Sequence, residues 1–238
     1  MKNSVAFVLV AILGVIMIAA VTQLPRPGSP DAPAQTHVSA FYVDGGKELG
    51  GAENLVTAVL LNFRALDTFG EVVVIFAALI AVLAVVTSQT VSRSDDGIGS
   101  RASRPVVPVS PLVGFMVRLL APFIATFAIF VMLKGHVLPG GGFQGGAVLG
   151  ALLILLALFS DRPPGSSKFA SSSLFWIRAT GVVAFALAGV AGLFLSGWLF
   201  GLPEESQVRE AMMIVLELGI GIGGAAVLLG LYQALAQN

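Results

Sequence analysis

Cysteine is missing from this chain, and histidine nearly so, with two in 238 residues. Without thiolates there is no disulfide, iron–sulfur cluster or cysteine-bound zinc. Two histidines also leave no material for a His-rich metal site or a bis-histidine haem. Charge is scarce. Asp, Glu, Lys and Arg make up 11% of the residues, where soluble domains carry about a quarter. The net charge is zero, and no long basic run offers a footprint for nucleic acid. Long apolar runs fill the place of the missing charges. With 56% hydrophobic residues and a mean hydropathy of +0.94, the chain reads as an all-α integral membrane protein.

The runs can be followed along the chain. Residues 5–22, VAFVLVAILGVIMIAAVT, would rise roughly 27 Å as a helix, about one bilayer core. A cleaved signal peptide is the rival reading, but AAVTQLP is a poor cleavage site. Residues 24–52 are polar and rich in Pro and Gly, the composition of an exposed loop. Residues 54–63 are apolar but too short to span, so a short interfacial helix is expected in this first outer loop. A second span is expected over 69–87, with Glu71 in its first turn. The stretch SQTVSRSDDGIGSRASRPVVPVSP, 88–111, is the clearest boundary in the chain. Four further spans follow, over 112–134, 146–160, 174–200 and 211–235.

These six transmembrane helices divide into a two-helix module, 1–90, a cytoplasmic linker, 91–111, and a four-helix module, 112–238. Positive charge sets the orientation. One side collects Lys2, Arg93, Arg101, Arg104, Arg162 and Lys168, with Arg118 and Arg178 near enough to snorkel there. The other side has Arg26, Lys47, Arg64, Lys134 and Arg209. Both termini are therefore expected in the cytoplasm, in a multi-pass protein of the inner membrane.

Three features could carry chemistry. Glu217 lies inside the last helix. A charged carboxylate facing lipid there would cost roughly 2.5–3.5 kcal/mol on insertion scales. It must face protein or water, or hold a proton, as a relay residue or as a hydrogen-bonded packing residue. Glu71 is the second, with Arg64 and Asp67 close before it and Asp67 or Thr68 available as a helix cap. The third is GHVLPGGGFQGG, 135–146. Here Lys134 suits an interface anchor and His136 is of a residue type that can shuttle protons. Pro139 is expected to break the helix, and Gly140, Gly141, Gly142, Gly145 and Gly146 to free irregular backbone. Such backbone in a membrane needs protein or water to satisfy it, and often lines ion paths. Gly142, Gly146 and Gly150 also have the spacing for close helix packing. The loop lacks the GK[ST] ending of a phosphate-binding loop.

The stretch VRLLAPFIATFAIFVMLKGHVLPGGGFQGGAVLGALLILLAL, 117–158, resembles the MnhB/MrpB component of Mrp-type multisubunit Na+/H+ antiporters. The stretch ENLVTAVLLNFRALDTFGEVVVIFAALIAVLAV, 53–85, is similar to the C-terminal tail of the large A-type component. Membrane-bound hydrogenases carry that tail separately, as their own E-type component. The chain therefore resembles a fusion of the two modules. The resemblance implies an accessory membrane subunit that contributes to a sodium/proton path and to assembly, with no catalytic centre and no resident cofactor. Na+ and H+ would be the transported ions. Its partners would be the large A- and D-type subunits and the small C-, E-, F- and G-type subunits, within the lipid bilayer. By motif position, Arg64, Asp67 and Glu71 carry over from the first block, and His136, Pro139 and the glycines from the second. Glu217 has no motif behind it. A hydrogenase or related respiratory complex is the alternative host, and a purely structural scaffold the alternative role.

Overall fold

The computed structural model describes residues 2–95, 110–159 and 172–236. Most of the linker 91–111 and of the loop 161–173, with Arg101, Arg104, Arg162 and Lys168, lies outside the described residues, as do the side chains of Lys2 and Arg93. Every element among the described residues is helical: α1 (Lys2–Thr22), α2 (Val38–Gly45), α3 (Leu55–Ala58), a π-helical turn (Val59–Phe63), α4 (Ala65–Asp95), α5 (Pro111–Leu133), α6 (Gly142–Leu158), α7 (Ser172–Ser196) and α8 (Ser206–Ala236). Among the described residues five helices are long and apolar enough to cross a membrane: α1, α4, α5, α7 and α8. Helix α6 is apolar but has 17 residues, at the lower limit for a span.

The chain falls into two units, Met1–Gly45 and Gly46–Asn238. The first contains α1, whose apolar side chains are exposed along its length, and α2. The expected loop over 24–52 therefore holds a helical segment, VSAFYVDG, whose residues suit a helix better than the Pro-rich stretch before it.

The second unit is built around α8, which packs against α6, α7, α4 and α5. Over half of its most apolar stretch is buried, 56%, against 11% in α4 and in α5. Lipid supplies no hydrophobic drive between helices, so close backbone approach has to do the work. Small residues permit it. A Cβ on Gly146 would lie 2.8 Å from Gly221 O, and one on Gly150 would meet Leu228 and the Ala225 backbone. On the other side, a Cβ on Gly223 would lie 2.9 Å from Gly181 N. Helices α6 and α7 thus seat on α8 along two glycine stripes. A core of Ala58, Leu61, Ala65, Val72, Phe185, Met213, Leu216 and Ile220 ties α3 and α4 to α7 and α8. Phe69, Phe185 and Phe200 close it, with ring centroids 5.4–6.4 Å apart.

Several expected boundaries move. Helix α4 begins at Ala65, so Glu71 stands two turns inside it and not in the first turn, which holds Asp67. Neither Asp67 nor Thr68 caps it. Thr68, fully buried, instead donates to Leu60 O at 2.7 Å and closes the π-helical turn onto α4. Helix α8 begins at Ser206, taking in residues assigned to a polar loop. Helix α7 ends at Ser196, leaving Trp198 beyond it.

Candidate functional site

Helix α5 stops at Leu133, capped by Lys134, so Pro139 is not the residue that breaks it. Lys134 O accepts from the amides of Val137 and Leu138 at 3.0 and 2.8 Å, which closes a turn over 134–138. Pro139 lies exposed just after it. Gly140 and Gly141 follow with φ of 150° and 140°, values that a side chain would strain. The chain re-enters as α6 at Gly142, so the glycine run supplies that helix's first turn.

This turn is moulded around Glu217, which is 2% exposed. A Cβ on Gly135 would collide with Glu217 Oε1 and lie 2.6 Å from Gly141 Cα. A Cβ on Gly142 would collide with the backbone of Glu217. Gly135, Gly141 and Gly142 together form a side-chain-free cradle for one carboxyl group on α8. Gly145 and Gly146 play a different part, packing α6 against Met132 of α5 and Gly221 of α8.

The cradle places polar atoms against the carboxyl. Thr57, 4% exposed, has its hydroxyl 2.7 Å from Gly135 O and 3.5 Å from Glu217 Oε1. His136, 6% exposed, presents Nδ1 4.0 Å from Glu217 Oε2. Neither of those two facing atoms has a hydrogen-bond partner. Buried polar atoms are nearly always paired, so two orphans facing each other mark a place where a proton, water or ion can be accommodated. On its far side, His136 Nε2 lies 3.2 Å from Glu210 Oε1, on a largely exposed carboxylate. Glu210 and Glu217 are seven residues apart on α8, about two turns and roughly 10 Å along one face. His136 therefore bridges an outer and an inner carboxyl.

Asn54 fixes the bridge. Its Nδ2 donates to Gly135 O at 2.7 Å and Leu138 O at 2.9 Å, and its backbone N–H donates to His136 O at 3.1 Å. Its Oδ1 accepts from Val56 N at 3.1 Å and caps α3. One side chain thus ties the start of α3 to both ends of the histidine turn.

The other sequence candidates do not join this cluster. Arg64 pairs with Asp67, both of them about half exposed. Glu71 is exposed on α4, and Lys134 is exposed beside the turn. Reading the sequence alone missed Asn54, Thr57 and Glu210. Asn54 had a legible signal, an Asn immediately before an apolar run. Glu210 would have emerged from the seven-residue spacing to Glu217 had the last helix been started earlier. Among the described residues no group of three or more His, Asp and Glu gathers as a metal site.

Residues 112–232 match the family model described as a domain related to the MnhB subunit of Na+/H+ antiporter. The chain belongs to this MnhB-related family. Residues 5–95 match a second model, MbhE of MBH, so an MnhB-type region follows an MbhE-type region in one chain. The polar cluster draws Asn54 and Thr57 from the second of these matches and His136, Glu210 and Glu217 from the first. An uncharacterised protein of Methanocaldococcus jannaschii is 30% identical over 63% of this chain and 61% of its own length. A probable K+/H+ antiporter A/B protein of Rhizobium meliloti is 25% identical over 80% of this chain but 19% of its own. The MnhB-type chain thus spans less than two thirds of either relative. A chain of the membrane-bound sulfane sulfur reductase, an archaeal respiratory membrane complex, is similar over 98% of this chain and 97% of that one, with 28% identity and a TM-score of 0.70. Family and helices together make this a multi-pass membrane protein.

Proposed function

We propose that this chain is an accessory membrane subunit of a multisubunit cation/proton antiporter. In this reading it carries part of the ion path and helps to hold the large antiporter subunits. The observation that carries the proposal is the pair of unpartnered buried atoms, His136 Nδ1 and Glu217 Oε2, facing each other 4.0 Å apart inside a glycine cradle. The family's association with Na+/H+ antiport supplies Na+ and H+ as the ions.

The chemistry is that of a short relay. In the tautomer with its proton on Nε2, His136 donates toward Glu210 and keeps a lone pair on Nδ1 toward Glu217. A proton reaching Nδ1 makes an imidazolium, which can release the Nε2 proton to Glu210. The same steps run backwards when the proton comes from the outer side. The 4.0 Å gap exceeds hydrogen-bond reach by about 1 Å, so each transfer needs a small swing of the ring or a bridging water. Arg64, Asp67, Glu71 and Lys134 belong to the outer surface of the protein in this reading, where neighbouring subunits meet it. No step requires a catalytic centre or resident cofactor.

The proposed membrane arrangement has six spans, with α6 as the sixth, α3 near the interface, and both termini in the cytoplasm. The module borders are 1–90 and 112–238, supported by where the two family models match. The partners are the antiporter subunits of A, D, C, E, F and G type. In inverted vesicles containing the complete complex, Glu217→Gln is expected to lower the sodium-dependent pH change while the subunits stay together. Unchanged transport would remove Glu217 from the path.

A second host has a specific observation in its favour. The likeness to a chain of the sulfane sulfur reductase complex is end to end. The same protein would then serve an ion-translocating module inside a respiratory complex. Purification of the intact complex decides between them. Co-purifying redox subunits favour the respiratory host, and antiporter subunits alone favour the first reading.

A further inference from the structure

The Thr57 hydroxyl has two acceptors and one proton. Gly135 O lies at 2.7 Å and Glu217 Oε1 at 3.5 Å. A hydroxyl donates one hydrogen bond at a time, so the two contacts compete. The shorter one holds the proton on Gly135 O while Glu217 is neutral. An ionised carboxylate forms a charge-assisted bond roughly twice as strong as a neutral one, and in a buried site it gains further because no water competes. Gly135 O belongs to the residue immediately before His136, so whatever changes at this carbonyl is felt by the turn that carries the imidazole.

We infer that Thr57 is a positioning residue that couples the protonation of Glu217 to the histidine turn. The proton of Thr57 rests on Gly135 O when Glu217 is neutral and turns to Glu217 when the carboxyl ionises. Ionisation thereby takes one of the two side-chain hydrogen bonds from Gly135 O. The Asn54 bond remains at 2.7 Å, so the turn loosens without detaching. A looser turn lets the imidazole close the gap to Glu217 at the moment when that carboxylate needs a proton. After protonation the turn tightens again and the gap reopens. The device rests on the relay reading above and adds to it a reason for the site's long resting distance.

The electrostatic surroundings of Glu217 are simple. His136 faces it from the turn, and Glu210 stands behind His136 on α8 itself. Helices α3 and α6 contain no charged residue. Lys134 at the end of α5 and Asp67 and Glu71 on α4 are exposed. Arg178, the one charged residue of α7, packs its guanidinium against Gly230, thirteen positions further along α8. His136 is therefore the titratable group whose state the coupling must share.

The test is hydrogen exchange of the full chain in lipid nanodiscs across a pH series, corrected for the intrinsic exchange rate. The reporters are the Val137 and Leu138 amides, which close the turn onto Lys134 O. In the wild type their protection is expected to fall about three- to tenfold as pH rises through the ionisation of Glu217, the equivalent of one neutral hydrogen bond. Thr57→Ser keeps that response. Thr57→Val, which keeps the shape and loses the hydroxyl, and Glu217→Gln, which cannot ionise, each give a flat profile. Thr57→Ala gives the same flat profile if the valine variant does not fold. A wild-type pH response in the valine or alanine variant overturns the coupling, as does a wild type that shows no response. Failure of the relay reads out differently, as wild-type transport by Glu217→Gln in vesicles, so the two ideas fail in separate measurements.

Discussion

Two polar groups in this chain look alike as sequence and end differently as structure. Arg64 stands just before α4, Asp67 in its first turn and Glu71 about two turns in. Arg64 and Asp67 neutralise each other at the surface, and Glu71 points outward. His136, Glu210 and Glu217 come from two distant segments and meet in a line that runs from the exposed Glu210 to the buried Glu217, with Asn54 and Thr57 brought in from a third. The first group is finished locally and costs little to solvate. The second could exist only because glycines let a turn and a helix close around one carboxyl. Proximity in sequence marks the helix-terminus group, whereas burial without partners marks the group poised for ion chemistry.

The largest effect that separates them should come from the cradle and its seat. Gly146→Val puts methyl groups where Gly221 O already stands 2.8 Å from a bare Cβ. Overpacking of that kind costs about 1–3 kcal/mol, and separation of α6 from α8 would dismantle the cluster. The expected result is a lower melting temperature and loss of the protein from the purified complex. Retention at wild-type yield would show that the α6–α8 contact does not hold the site together.

Next comes the carboxyl itself. Glu217→Gln keeps the shape and removes the ionisable proton, so ion-coupled proton movement should fall about tenfold or more with assembly intact. Asn54→Ala should act more gently. It removes both side-chain bonds that hold the turn and the cap of α3, worth about 1–2 kcal/mol of local stability, and hydrogen exchange should quicken at residues 135–138 with α7 unchanged. The smallest effect belongs to the other group. Asp67→Asn and Glu71→Gln should leave the stability of the isolated chain within about 0.5 kcal/mol of wild type in thermal unfolding, since exposed charges rarely contribute more. A large destabilisation by either would blur the contrast between the two groups.

Much of this was legible in the residues. The apolar runs announced the five long apolar helices and the shorter α6, and the unusual GHVLPGGGFQGG block drew attention to the turn. Glu217 stood out because lipid punishes an unpaired carboxylate. What the residues did not carry was the pairing, since nothing in local spacing tells that residues 54–57, 135–142 and 210–217 converge. The glycines were read as irregular backbone after a break at Pro139 and as close helix packing; Gly146 does pack against α8, whereas Gly135, Gly141 and Gly142 are set by a carboxyl far along the chain on that helix. Helix starts were misplaced for a similar reason. Polar residues such as Ser206, Gln207 and Arg209 look like loop, yet the first turn of α8 tolerates its polar residues because that end of the helix is largely exposed.

Sodium-driven proton movement in inverted vesicles holding the complete complex, compared between wild type and Glu217→Gln, tests the central claim most directly. The line from exposed Glu210 through His136 to buried Glu217 predicts a fall of about tenfold or more, with every subunit still present by gel. A wild-type rate in the glutamine variant would contradict it and leave the cluster as a packing device.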